Sequence, residues 1–378
     1  MDVTPSPAGS FVSPLRIAML VELYYPSIGG QEVFFQELSE TLVQRGHSVD
    51  VYCIGHQPGL ASTETLNGVN VHRNPNVGRY LKPIVPALKR NWLEIVQFSA
   101  GVRKVAEAGV HDFYLLNQWP LMHVLALPGR ARERSGIHWC EIRDDRLMRE
   151  AQARLPRMVH SNFSVSHGVG EGITEQSGRP CVVLPSGIQL KRYSSAARAE
   201  RSGVLCVGRL AEHKNLPLLI DAFALAAEHG LAGELTIAGD GPSRADIEAY
   251  ASRSPVSSRI QVLGPVSEEK KIELLAHAGV LGLPSIREGF PRVISEAMAS
   301  GLPVVTADFA GNGGQELVAH YGCGVVCGTG PDDFAKGLLA AEEGWEAYSQ
   351  AGLTAAPSLD WSWIADALEA RIREVIGK

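Results

Sequence analysis

GVLGLPSIREGFPRVISEAMASGLPVVTA, residues 279–307, decides the fold. Gly279–Pro284 is continuously apolar, which suits a strand buried on both faces of a parallel sheet. A polar loop with Gly289 follows. Pro291 fits the first position of a helix, where its missing N–H does no harm. The Ala-rich run beyond carries Glu296 in its second turn, and Pro303–Ala307 reads as the next strand. The stretch also sets Glu288 in a loop at the strand's carboxyl edge and Glu296 on the helix. Helical side chains lean toward the N-terminus, so Glu296 can reach back toward the same edge. The two carboxylates admit four readings: an acid/base pair, a metal site, solvated charges, or hydrogen-bonding arms for a polyhydroxyl ligand. An ionised carboxylate is acceptor-only and can take two hydroxyls. A metal site is disfavoured because no further His or Asp is spaced to join them.

The same alternation runs along the chain. Residues 15–21, 48–53, 69–73, 112–117 and 136–142 read as strands in the first half. Residues 203–208, 234–239, 259–264, 279–284 and 303–307 do so in the second. Between them lie helices such as 32–46, where Phe35, Leu38 and Leu42 recur at helical spacing. The fold class is α/β, as two Rossmann-like, doubly wound parallel-sheet domains. The boundaries expected are a disordered tail at 1–14, a first domain at 15–185, a linker at 186–202 and a second domain at 203–357. A terminal amphipathic helix at 358–378, led by Trp361 and Trp363, either returns to the first domain or caps the second. Ligands of such sheets bind beyond the carboxyl ends of the strands, so the cleft between the halves is the expected site.

Composition narrows the function classes. The chain has 378 residues, 45% hydrophobic and 20% charged, with a net charge of −6. That balance gives no global pull toward nucleic acid or an anionic membrane. No run of 18 apolar residues suggests a spanning helix, and the N-terminus has no signal-peptide pattern. Cys53, Cys140, Cys181, Cys206, Cys323 and Cys327 read as reduced, structural thiols of a cytoplasmic protein. Cys323 and Cys327 lack the usual zinc partners.

Three more loops follow strands. Gly29-Gly30 opens a helix whose first N–H groups are free for an anion, or it is a plain turn. Arg209 and Lys214 sit at the mouth of a parallel sheet, where two cations suit a diphosphate. The bland alternative is two surface charges. AGDGP, residues 238–242, brings Gly239 and Gly241 near a ligand or makes a turn only.

Taken together and in order, Gly29-Gly30, "GRL…KN" (208–215), "GDGP" (239–242) and "EGFPRVISE" (288–296) resemble the retaining glycosyltransferases of family 4, with the GT-B fold. "LPSGIQLKRY" (184–193) is similar to that family's interdomain stretch, with Gln189 where an Asp is usual. The resemblance implies that Arg209 and Lys214 hold the diphosphate of a nucleotide-sugar donor and Glu296 the ribose. Glu288 with the backbone of Gly289 and Phe290 faces the transferred sugar. Pro291 offers only its carbonyl, Gly30 its amide to the phosphates, and the backbone around Leu263 meets the base. The implied reaction moves a hexose or N-acetylhexosamine from a nucleoside-diphosphate sugar, UDP rather than GDP, to a hydroxyl acceptor that is a small molecule, glycan or glycolipid. No separate cofactor or metal is implied. In a front-face retaining mechanism the leaving diphosphate accepts the acceptor's proton while the protein positions the reactants.

The first domain is expected to take the acceptor. Glu141 is a candidate catalytic group, and with Asp144 and Asp145 it either receives a polyhydroxyl acceptor or pairs with Arg143 and Arg146. Many family members end a first-domain strand with a histidine near the reacting carbon; here that strand is read as GIHWCEIRDD (136–145), which ends without one. His138 is placed near the strand's start as a structural residue, and His123 in the helix that follows the preceding strand. Lys82, Lys89, Arg90 and Trp92 form either a surface for a lipid headgroup or acceptor, or an ordinary charged helix face. Peripheral contact at an inner membrane surface and a monomeric or homodimeric state are both expectations. Competing functions are a sugar-nucleotide epimerase or phosphorylase of the same fold, and a non-catalytic donor-binding partner subunit. A dehydrogenase is disfavoured because no G-x-G-x-x-G follows the first strand.

Overall fold

The computed structural model describes residues 13–81 and 90–377. The chain forms two compact units. The first runs to Ser186 and takes in the helix Trp361–Ile376, and the second is Gly187–Asp360. Most of the tail expected at 1–14 lies outside the described residues, as do Lys82 and Lys89.

The first unit is built on eight strands: β1 (Arg16–Leu20), β2 (Ser48–Cys53), β3 (Thr63–Leu66), β4 (Val69–Arg73), β5 (Phe113–Asn117), β6 (Ser135–Trp139), β7 (Ser161–Ser164) and β8 (Val182–Val183). They lie in the order β3-β4-β2-β1-β5-β6-β7-β8. Among the described residues of this unit only the β3–β4 pair is antiparallel. Every residue of β5, β6 and β7 is buried. Successive side chains point to opposite faces, so both faces of the sheet are covered there. Helix Gly30–Gln44 lays Phe34, Phe35, Leu38 and Leu42 into this core. The terminal helix adds Trp361, Ile364, Ala365, Leu368 and Ile372 to the same core. The Trp361 indole donates to Glu37 at 2.8 Å.

The second unit has β9 (Ser202–Val207), β10 (Leu235–Ala238), β11 (Ile260–Gly264), β12 (Ala278–Leu283), β13 (Arg287–Glu288), β14 (Val304–Ala307), β15 (Gly311–Asn312) and β16 (Gly324–Cys327). The main sheet runs β11-β10-β9-β12-β14-β16, all parallel, and β13 pairs with β15 beside it. The stretch 279–307 is thus β12, loop, helix Arg292–Ala299 and β14.

Residues 187–202, read from the sequence as a linker, belong to the second unit. Arg201 is the reason. It is buried, and its guanidinium donates to the carbonyls of Ala196, Leu275, Ala278 and Ser300. Burial lowers its pKa to about 10. All six cysteines are free. Burial pushes each thiol up to about 12. No helix among the described residues is long and apolar enough to cross a membrane.

Candidate functional site

In each unit the strand order reverses beside its first strand, and loops leaving the two flanking strands open a crevice at the carboxyl edge. In the second unit that point lies between β9 and β12. The loop after β9 carries Arg209 and Lys214; the loop after β12 carries Glu288. The two loops are tied by a backbone bond from Ile286 N to His213 O at 2.8 Å. Lys214 Nζ forms an ion pair with Glu288 Oε1, and both side chains are largely buried. Ser285 Oγ donates to the same carboxylate oxygen at 3.1 Å. Arg209 is exposed, with no ion-pair partner among the described residues. His213 sits among Lys214, Glu288, Arg287 and Arg209, and burial first, then the Lys214 charge, lowers its pKa. The sequence reading gave neither His213 nor Arg287 a role.

Glycine is required where the β9 and β10 loops meet. A Cβ on Gly239 would lie 1.8 Å from Gly208 O, so a side chain there would drive the two loops apart. Gly208 N donates to Ala238 O at 3.0 Å and Leu210 N to Asp240 O at 2.9 Å. Leu263 is exposed at the end of β11.

Pro291 stands as the N-cap of helix Arg292–Ala299, one position earlier than expected. Glu296 is the fifth residue of that helix and only 5% exposed. One carboxylate oxygen receives Lys271 Nζ at 2.9 Å, and Lys271 also pairs with Glu268 at 2.9 Å. Lys271 sits on the polar helix Glu268–His277, which carried no motif. The structure therefore joins Lys214 with Glu288, and places Glu296 with a cation that the sequence reading missed.

In the first unit, Gly29 caps helix Gly30–Gln44 and Gly30 begins it. A Cβ on Gly30 would meet nothing within 4 Å. The Glu32 carboxylate folds over Gly29, whose Cβ would lie 2.3 Å from it. A pocket of about 450 Å³ lies at this unit's switch point, lined by residues that include Gln31, Trp92, Gln118, Trp119 and Glu141. Its floor is a chain of polar contacts. Tyr80 OH donates to Glu22 at 2.8 Å. Arg90 Nε donates to the same Glu22 oxygen at 2.8 Å. Arg90 is thus paired with Glu22 while its side chain stays 38% exposed, and Tyr80 is fully buried.

Two expectations about strand β6 are corrected. It ends at Trp139, not Ile142, because Gln118 Oε1 takes the next two amides, Cys140 N at 3.0 Å and Glu141 N at 3.2 Å. His138 is therefore near the strand's end, not its start. It is still structural: Nε2 meets Leu184 O at 2.9 Å, the ring stacks on Phe34 at 4.1 Å, and burial lowers its pKa to about 4. His123 is fully buried on helix Met122–Ala126, and burial lowers its pKa to about 3. Neither histidine lines the pocket. Of the three acids, only Glu141 does. Asp145 caps helix Arg146–Arg154 through Met148 N at 3.1 Å and pairs with Arg143 at 3.3 Å.

Residues 28–192 match the family described as Glycosyltransferase Family 4, and residues 188–356 match Glycosyl transferases group 1. An uncharacterized glycosyltransferase of Methanocaldococcus jannaschii is 28% identical over 369 residues, covering 88% of this chain and 90% of the relative. The phosphatidylinositol N-acetylglucosaminyltransferase GPI3 subunit of Saccharomyces cerevisiae is 23% identical over 319 residues, 78% of this chain and 68% of the relative. Among solved structures, sucrose-phosphate synthase from Thermosynechococcus elongatus superposes with a TM-score of 0.76 at 17% identity, over 96% of this chain and 99% of that one. Anabaena HepE, solved in complex with UDP, has a TM-score of 0.73 at 18% identity, over 95% and 100%. The solved neighbours share the GT-B fold, and the two adjoining family matches, together spanning residues 28–356, place the protein among the enzymes: it belongs to the group 1 glycosyltransferases of family 4.

Proposed function

We propose that the protein transfers a hexose or N-acetylhexosamine from a UDP-sugar to a hydroxyl acceptor, with retention at the anomeric carbon. The observation that carries this reading is the Lys214–Glu288 pair at the β9–β12 switch point, with Arg209 exposed alongside. A diphosphate entering there meets two cations. Lys214 exchanges Glu288 for phosphate oxygens, and the released carboxylate turns to the sugar hydroxyls. Glu296 accepts from the ribose hydroxyls. The bond from the anomeric carbon to the diphosphate oxygen breaks as the acceptor oxygen bonds to that carbon on the same face. The acceptor's proton passes to the departing diphosphate, and Arg209 and Lys214 stabilise the charge left there. No step in this sequence calls on a protein histidine. Support for UDP comes from the Anabaena HepE neighbour, whose structures hold UDP and, in one case, glucose.

The test is incubation with UDP-sugars, with and without hydroxyl acceptors. Free UDP that appears only with acceptor supports transfer. Turnover on UDP-sugar alone, or requiring phosphate, assigns the protein to epimerase, hydrolase or phosphorylase chemistry instead. A second reading, a donor-binding partner in a larger transferase, is favoured by the GPI3 relative, which is named as a subunit. It predicts calorimetric UDP binding with no turnover on any acceptor.

A further inference from the structure

The pocket of the first unit has the chemistry of a sugar subsite. We infer that it takes a neutral pyranose ring, so that the acceptor is itself a glycoside; this rests on the transferase reading above. Trp92 and Trp119 stand edge to face with centroids 6.3 Å apart, forming an aromatic corner. Trp92 is 38% exposed, and Trp119 is half-buried. Both rings line the pocket, which leaves aromatic surface for the ligand. The C–H bonds on one face of a pyranose carry slight positive charge and pack on the negative face of an aromatic ring.

The polar lining fits hydroxyls. Among the described residues Gln31 Nε2 is buried without a hydrogen-bond partner, a donor awaiting an acceptor oxygen. Glu141 supplies an acceptor at the rim, its backbone amide fixed by Gln118. The charges argue against an anionic ligand. The lining holds two guanidiniums, Arg90 and Arg143, and two carboxylates, Glu22 and Glu141, which cancel. Arg90 is committed to Glu22, and Arg143 lies 3.3 Å from Asp145. A phosphate or carboxylate would have to displace an existing pair.

The experiment is a ligand-observed saturation-transfer NMR titration of the full chain with methyl glucopyranosides and methyl galactopyranosides, against glycerol and glucose 6-phosphate. The expected result is saturation concentrated on the C–H protons of one pyranoside face. Affinity should fall about tenfold in Trp92→Ala and return in Trp92→Phe. Trp92 opens a helix at the surface, so its loss leaves the fold intact, as circular dichroism would verify. Equal signal from glycerol, unchanged affinity in Trp92→Ala, or tighter binding of glucose 6-phosphate than of the methyl glycosides would overturn the inference. Sugar transfer to acyclic or anionic hydroxyls but to no pyranoside would also overturn it, while leaving the transferase reading intact. Conversely, pyranosides that bind while no UDP-sugar binds would keep the pocket assignment and remove the transferase reading.

Discussion

Replacing Glu296 separates a nucleotide-binding role from a structural one. Its side chain is 7% exposed and holds Lys271, but Lys271 keeps a second carboxylate, Glu268, at the same 2.9 Å. Glu296→Ala therefore leaves no unpaired buried cation, and the stability loss should stay near 1 kcal/mol, the scale of one replaceable polar contact. Nucleotide binding has no such substitute. A carboxylate accepting from both ribose hydroxyls makes charge-assisted bonds worth about 1.5–3 kcal/mol, so UDP affinity should fall about 10- to 150-fold. Isothermal titration with UDP and thermal unfolding of the same sample read the two effects apart. Glu296→Gln keeps an acceptor oxygen without the charge and should lie between wild type and Ala. The assignment is refuted by UDP affinity within twofold of wild type in a folded Glu296→Ala. A large melting shift with unchanged affinity would show that Glu296 serves only to fix helix Glu268–His277 to helix Arg292–Ala299.

Other consequences follow from the same geometry. Arg209→Ala should weaken UDP binding about tenfold or more with little change in melting, because the side chain is exposed; equal affinity for UDP and uridine in both proteins would remove it from the diphosphate. Glu288→Ala should reduce turnover more than UDP affinity, since it frees Lys214 for phosphate; the reverse pattern in steady-state kinetics would contradict the Lys214–Glu288 exchange. Arg201→Ala should cost about 3 kcal/mol or more in urea unfolding, because several buried carbonyls lose a charged donor at once; a loss below about 1 kcal/mol would contradict that anchoring role. His123 and His138 are held neutral by burial, with folded pKa values of about 3 and about 4. The unfolded chain binds protons there that the folded chain refuses, so stability is full above about pH 6.5 and falls as pH drops toward 4. Each histidine contributes up to about 1.4 kcal/mol per pH unit, and a His138→Leu protein that stays folded should show a shallower slope.

Much of the fold was legible because buried parallel strands are nearly continuous apolar runs. The ten strands read from sequence each have a counterpart in the two sheets, with ends shifted by a few residues at most. What escaped was strand without that signature. β3 is polar and solvated, and its only signal is Asn67-Gly68, the pair whose positive φ angles close a two-residue hairpin onto β4. β7 reads SNFS and is buried through side-chain bonds such as Trp139 Nε1 to Asn162 Oδ1 at 3.1 Å. β16 lay inside YGCGVVCG, where the cysteine spacing drew the reading away from Gly324–Cys327.

The candidate site was legible where side chains follow directly from a strand end, as Arg209, Lys214 and Glu288 do. It was not legible where a partner comes from a distant element. Lys271 against Glu296 and Gln118 against the amides after β6 are long-range pairings that no local spacing encodes. The same holds for the aromatic corner. Trp92 and Trp119 are far apart in sequence, and only the packing of their elements brings the rings together.

The most direct measurement of the central claim is the anomeric proton coupling of a product made from an α-linked UDP-sugar and a hydroxyl acceptor. Retention through the leaving diphosphate predicts an α-linked product, whose axial anomeric oxygen leaves an equatorial H1 with a small coupling to H2, from the first turnover. A β-linked product, or free sugar as the sole product, would contradict it.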